Sequence, residues 1–188
     1  VALGQHLDNG ALFHVGGDTS HVLRELEFIQ AEPLNGPPAS QRTDVWVLFD
    51  HDALYVMARC WEAHPDRMVA DEMRRDSVRL AQQDFVGFGF DPFHDHRNGL
   101  LFTMTPIGGR MDGQVTDERT YNGDWNPVWD VRTGRFNGGW TIEMAIPFKT
   151  LRYNPGSGQV WGLQFRRAIR RKNEWVHLTP LPPVLGGA

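Results

Sequence analysis

The stretch from Asp91 to Phe102, DPFHDHRNGLLF, concentrates side chains that can do chemistry. Two aspartates, two histidines, an arginine and an asparagine fall within its first eight residues. Such a set suits a metal site, an acid–base pair or a polar hairpin loop. Apolar alternation on both sides, in FVGFGFD and GLLFTMTP, and the Asn98-Gly99 turn pair predict a loop between two paired strands.

Within this loop we favour a hydrogen-bonded turn, in which Asp95 and Asn98 satisfy main-chain N–H groups. Calcium is the alternative, because Asp91, Asp95 and Asn98 offer the hard oxygen ligands that calcium prefers. Zinc at His94 and His96 is disfavoured, since both histidines lie in a loop and the sequence has no HExxH motif. The metal prediction is therefore a structural calcium ion at Asp91, Asp95 and Asn98.

A second candidate site lies in DERTYNGDWNPVWD, residues 117–130. Tyr121 and Trp125 fall in a segment rich in Gly, Asn and Pro, where burial is less expected than in a strand. Aromatic rings exposed in a loop can stack on sugar rings, and Asp124 and Asn126 can bond to the sugar hydroxyls. The alternative for Trp125 is that it closes the end of the core.

Glu143 is a third candidate, because it points away from the apolar face of GWTIEMAIP. On a concave face beside an arginine it would bind a ligand, and on a covered face it would form a structural ion pair. The basic run RRAIRRK, residues 166–172, does not form a continuous basic stripe, and the net charge is −4. We therefore expect no nucleic-acid partner and expect these arginines to pair with Glu143 or with acidic loops.

The composition is that of one globular domain: 188 residues, 40% hydrophobic and 11% aromatic, with seven Trp. No apolar run approaches the roughly 20 residues of a membrane helix. The sequence shows no signal peptide and no initiator Met, so we expect a fragment or a processed form. The single cysteine, Cys60, excludes an internal disulfide and a multi-Cys zinc site, and we expect it to be buried and inert.

Strand-like segments and turn signals predict four hairpins, and hence an all-β antiparallel sandwich with one or two short helices. Residues 65–83 are predicted to be helical, with Pro65 in the first turn and Asp76 capping a second helix. Residues 147–152 are predicted to form one helical turn. The domain is placed at 28–180, after a poorly readable segment, 1–27, and before a tail, 181–188.

Four motifs in this order resemble the carbohydrate-binding module family 9-like domain: GPPASQRTDVWVLFDHDALYVMARCWE, DFVGFGFDPFHDHRNGLLFTMTPIG, DWNPVWDVRTGRFNGGWTIEMAIPFKTLRY and WGLQFRRAIRRKNEW. They look most like the version of this domain at the N-terminus of large uncharacterised bacterial proteins. In those proteins the domain precedes a β-rich, barrel-like region thought to lie in the outer membrane.

The resemblance implies a jelly-roll β-sandwich that binds polysaccharide or oligosaccharide, with structural calcium and an extracytoplasmic location. It implies a non-catalytic module of a larger protein that takes part in polysaccharide binding or catabolism. The C-terminal membrane barrel of that parent protein would be a partner of the module. The alternative is a structural or protein-interaction domain without a sugar site. The sequence departs from the family in two places. Only Asp18 remains of the family's opening segment, and Ala81 stands where the family has a Trp that clamps the sugar. The predicted sugar site is therefore Tyr121, Trp125, Asp124, Asn126 and Glu143.

Overall fold

The fold was derived from a computed structural model that describes residues 28–156 and 158–179 and the main chain of 11–15. The predicted tail, 181–188, Asp18 and most of the segment 1–27 lie outside the described residues. The strands are β1 Ala11–Val15, β2 Ile29–Glu32, β3 Thr43–Phe49, β4 Ala53–Trp61, β5 Phe85–Asp91, β6 Gly99–Met104, β7 Arg110–Thr116, β8 Thr120–Asn122, β9 Asp130–Phe136, β10 Gly139–Pro147, β11 Gln159–Ile169 and β12 Glu174–His177.

Two antiparallel sheets make up the sandwich. The large sheet has the order β2-β12-β11-β5-β6-β7-β8, with β1 also paired to β11, and the small sheet has the order β3-β4-β10-β9. The four predicted hairpins are confirmed as β3-β4, β5-β6, β9-β10 and β11-β12. The predicted all-β antiparallel sandwich is therefore confirmed, and β1 shows that residues before 28 also contribute to the large sheet.

The core lies between the sheets and follows directly from alternation along the strands. Val86, Phe88 and Phe90 of β5 face it, as do the alternate residues Trp140, Ile142, Met144 and Ile146 of β10. Residues between them in sequence point to the outer surface of each sheet, because successive side chains of a strand lie on opposite faces. Cys60 is buried in this core, where burial raises the pKa of its thiol to about 11.

The helix predicted over 65–83 is wrong. This connection contains two short 3₁₀ turns, Pro65–Arg67 and Val78–Gln82, and extended chain between them. Pro65 does begin the first turn, but the cap of the second is Ser77, whose hydroxyl accepts the N–H of Arg79, and not Asp76. The predicted turn after β10 is confirmed as a 3₁₀ turn, Phe148–Thr150. No helix in the described part of the chain is long and apolar enough to cross a membrane.

One buried arginine joins the two sheets. Arg167 of β11, 1% exposed, donates hydrogen bonds to the carbonyl oxygens of Arg42 and Trp61 and to the hydroxyl of Thr43, at 2.8–3.0 Å. Its guanidinium also lies 4.0 Å from the carboxylate of Glu62, which is 2% exposed. A buried guanidinium needs acceptors for its donors, so this contact fixes one end of the sandwich.

Candidate functional site

The centre of the outer face of the large sheet carries three glycines, which neighbouring side chains cover. Gly87 and Gly89 alternate with the core residues of β5, and Gly113 lies on the same outer face of β7. The register places Gln164, Gly89, Leu101 and Gly113 in one row across four strands. We call the area around Gly87, Gly89 and Gly113 the glycine face. These glycines are buried, because the side chains of Arg166, Leu101 and Tyr121 lie against them.

Tyr121 lies at one end of the glycine face. It belongs to the short edge strand β8, pairs with Val115 of β7, and is 51% exposed. Its ring lies across Gly113, and its hydroxyl donates to the carbonyl oxygen of Asp112 at 3.5 Å. A half-exposed ring held flat on a sheet can serve as a stacking surface for a ligand. The expectation that Tyr121 lies in a loop is corrected, because β8 forms within that segment.

Arg166 lies at the other end. It is partly buried, stands opposite Gly87 in the register, and lies over the ring of Phe85 with its Cζ 5.2 Å from the ring centroid. A Cβ added at Gly87 would stand 2.9 Å from Nε of Arg166 and 3.4 Å from the hydroxyl of Thr103. The glycine therefore allows the guanidinium to lie close to the main chain of β5.

Arg166 and Tyr121 lie on the same face of the large sheet, and the charge of each affects the pKa of the other. Burial raises the pKa of Tyr121, and the positive charge of Arg166 opposes that rise. Burial likewise lowers the pKa of Arg166, with Tyr121 opposing and the charge of Arg170 adding to the decrease. The site thus combines an aromatic surface with a poorly solvated cation.

The other residues predicted around Tyr121 have different environments. Trp125 is half-buried and packs against the core, with its ring 5.7 Å from the ring of Phe102. That contact matches the alternative in which Trp125 closes the end of the sandwich. Asp124 and Asn126 are exposed in the loop after β8, and the N–H of Asp124 donates to the side chain of Asn122.

Glu143 is not brought to this site. It is exposed on the outer face of the small sheet, on the opposite side of the sandwich, with Met57 and Arg132 as its cross-strand neighbours. Of the two partners expected for the basic run, Glu143 is wrong, and an acidic residue in a loop, Glu62, is confirmed. Arg171 and Arg167 approach Glu62 instead, because β11 belongs to the large sheet and Glu143 belongs to the small one.

The loop predicted to hold calcium uses its carboxylates internally. Asp91 is fully buried, and its two oxygens accept the N–H groups of Phe93, Asp95 and His96 at 2.8–3.3 Å. Asp95 accepts the main-chain N–H groups of Arg97 and Asn98 and the side-chain amide of Asn98 at 2.6–2.8 Å. These oxygens face donors and do not converge on a cation, so the arrangement fits the hydrogen-bonded turn. Calcium at Asp91, Asp95 and Asn98 stays a prediction.

The histidines of this loop are neighbours, with the rings of His94 and His96 5.0 Å apart. A zinc site needs about four converging ligands. Among the described residues, no group of three or more His, Cys, Asp or Glu side chains could hold a metal ion.

The sequence analysis missed Arg166 and the glycine face. The available signal was the alternation of glycine with phenylalanine in FVGFGFD, which leaves one face of β5 without side chains. A second signal was the strand assignment itself, which already placed Arg166 and Arg167 on opposite faces. Which of the two arginines lay outside depended on the sheet that β11 joined, and alternation alone does not determine that.

The fold has clear relatives among solved structures. A protein from Bacteroides uniformis ATCC 8492 that has been proposed to bind carbohydrate superposes with a TM-score of 0.61 at 14% identity, over 82% of this chain and 78% of that one. A carbohydrate-binding module of family 9 from Caldicellulosiruptor kristjanssonii, in complex with glucose, gives 0.59 at 15% identity, over 87% and 80%. A family 9 module from the same organism in complex with cellotriose gives 0.54 at 15%, over 90% and 80%.

Sequence comparison adds no relative: no protein-family model matches the chain, and no curated protein matches it significantly. At 14–15% identity, the structural likeness concerns the path of the chain and not the binding residues. The chain is thus similar in fold to carbohydrate-binding modules of family 9.

Proposed function

We propose that this chain is a non-catalytic carbohydrate-binding module that binds its saccharide on the glycine face. The observation that carries the proposal is the ring of Tyr121, which is half-exposed and lies flat on Gly113 at the edge of the glycine face. The fold similarity to modules solved with glucose and cellotriose supports the choice of ligand class.

The chemistry of this face suits a sugar ring. A pyranose has apolar C–H faces that pack on an aromatic ring and equatorial hydroxyls that need hydrogen-bond partners. Tyr121 would supply the stacking surface and Arg166 the polar groups beside it, while the hydroxyl of Thr103 is buried beside Gly87. We propose binding and not hydrolysis, since glycosidases place two carboxylates at the scissile bond, whereas Tyr121, Thr103 and Arg166 include no carboxylate.

The wider context is also a proposal. We infer that the module works outside the cytoplasm, as part of a larger protein of polysaccharide binding or catabolism with an attached membrane barrel region. A structural or protein-interaction domain is the second candidate, favoured by apolar side chains exposed on the connection before β5. Met73 is 64% exposed and Val78 is 84% exposed there. Surface patches of this kind are common at protein contacts.

A glycan-panel binding screen on the whole chain tests the proposal, with Tyr121→Ala and Glu143→Ala as matched variants. We expect binding that Tyr121→Ala abolishes and that Glu143→Ala leaves intact, because Glu143 lies on the opposite side of the sandwich. The screen is run with calcium and with a chelator, since the calcium prediction is independent of the stacking site. If folded protein binds no glycan in either condition, the interaction-domain candidate takes its place.

A further inference from the structure

The guanidinium of Arg166 has no acceptor among the described residues, and its nitrogens keep contact with solvent. Its side chain is partly buried, makes no hydrogen bond or ion pair with any described residue, and lies over the ring of Phe85. Arg167 and Arg75 have acceptors for their terminal nitrogens, although the Nε of each is buried without a hydrogen-bond partner. Arg167 donates to three oxygens, and Arg75 forms an ion pair with Asp112 at 2.7 Å and also donates to the carbonyl oxygen of Pro127.

The surroundings of Arg166 do not neutralise its charge. The titratable groups that act on it are Tyr121 and a second cation, Arg170. Arg170 stacks on Trp175, with its Cζ 4.6 Å from the ring centroid. It also donates to the carbonyl oxygens of Gln83 and Ala81, which are neutral main-chain groups. Removing a guanidinium from water without an acceptor destabilises the folded protein. A ligand anion on the glycine face would reverse this cost.

We propose that Arg166 binds the carboxylate of an acidic sugar, so that the saccharide of this module contains uronic acid residues. The inference rests on the proposed carbohydrate-binding function and names its ligand class. A guanidinium presents a planar fork of N–H donors that matches a carboxylate with two parallel hydrogen bonds. Tyr121 would stack on one sugar ring while Arg166 receives the carboxylate, and Gly87 keeps the guanidinium close to the sheet.

The test compares ligands with the same sugar rings that carry either a carboxylate or a neutral group at C6. Binding of an oligogalacturonide is measured against its methyl ester, and binding of glucuronate against glucose, by calorimetry on the whole chain. We expect the acidic ligand of each pair to bind about tenfold more tightly or better, as for hydrogen bonds to charged groups. This preference should shrink as sodium chloride is raised, because salt screens a partly exposed ion pair.

Two variants connect the preference to the residue. Arg166→Gln should remove the preference for the acidic ligand and retain binding of the neutral one through Tyr121. Arg59→Gln is the matched control, since Arg59 is exposed on the outer face of the small sheet and stacks on Trp61 and Phe136. It should bind both ligands like the unmodified protein. Melting temperatures of both variants establish that each is folded.

Each result decides between defined alternatives. If neutral and acidic ligands bind equally, or if Arg166→Gln keeps the preference, the uronate inference is overturned while carbohydrate binding stands. If sulfated sugars bind and uronates do not, the site takes an anion of another class and the carboxylate assignment is overturned. If no saccharide binds, the proposed function falls and this inference falls with it.

Discussion

Tyr121 lies flat on β7 because residue 113 is a glycine. A Cβ at position 113 would stand 2.5 Å from both the ring carbon Cε2 and the hydroxyl oxygen of Tyr121, closer than two such atoms can approach. The ring is at the free end of a flexible side chain, so it would swing away and leave the main chain in place. The stacking surface is thus created by an absent side chain on the neighbouring strand.

Gly113→Ala should therefore weaken saccharide binding about tenfold, by displacing the ring of Tyr121. The melting temperature should change little, because the half-exposed ring of Tyr121 can move into solvent and leave the main chain in place. Gly134→Ala is the control: it adds the same methyl group on the outer face of the small sheet, 2.9 Å from the hydroxyl of Thr141. Unchanged affinity in Gly113→Ala, measured by titration, would contradict a binding role for the ring.

Trp125→Ala should act on stability and not on binding. The ring packs against Phe102 and the edge of the core, so its loss should cost about 1–3 kcal/mol, less than for a fully buried tryptophan. Urea denaturation measures the free energy of unfolding, and saccharide titration at low temperature measures affinity. If Trp125→Ala has normal stability but no longer binds saccharide, Trp125 belongs to the stacking site.

Arg167→Met should strongly destabilise the sandwich, by about 3–5 kcal/mol in the free energy of unfolding. It leaves the buried carboxylate of Glu62 with one fewer cation and removes the guanidinium donor from the carbonyl oxygens of Arg42 and Trp61, of which the first keeps the N–H of Trp61. Arg59→Met, which changes an exposed arginine stacked on Trp61, should cost about 1 kcal/mol or less. If the two variants unfold at the same denaturant concentration, the buried contact does not hold the sheets together.

Acid should destabilise the connection before β5 through Glu72. Hydrogen bonds from the side chain and the main-chain N–H of Arg74 lower the pKa of Glu72 from 4.5 to about 2. The hydroxyl of Ser77 also donates to Glu72 and lowers its pKa further. A carboxylate with a lowered folded-state pKa stabilises the protein above pH 4.5, and that stabilisation is lost as the pH falls toward 2. The decrease in melting temperature over this range should be smaller in Glu72→Gln. Parallel curves for the two proteins would rule out this contribution.

Local sequence rules predicted the hairpins because each depends on neighbours in the chain. Alternation and a turn are enough to pair β3 with β4, or β5 with β6. The helix predicted over 65–83 does not form, because the segment carries charges on most turns and has no apolar stripe, which a packed helix needs. Its main chain is held by distant acceptors instead: Asp84 accepts the N–H of Val69, and Gln83 accepts the N–H of Asp71.

The candidate site was predicted only in part, for the same physical reason. Tyr121 was identified because an aromatic residue in a Gly- and Asn-rich segment is a local signal. Arg166 was not, because its role depends on the glycine opposite it in another strand and on the order of strands in the sheet. Glu143 was misplaced since alternation shows that it faces outward but not which sheet carries it.

Successive residues of β5 face two different surfaces of the large sheet. Phe88 and Phe90 belong to the interior, while Gly87 and Gly89 belong to the opposite surface. Leu101 and Met111 likewise lie on that surface, next to residues that face inward. Positions 101 and 111 are therefore suitable for randomisation in a library, in which new sugar specificities are selected while the frame that carries them keeps its interior unchanged.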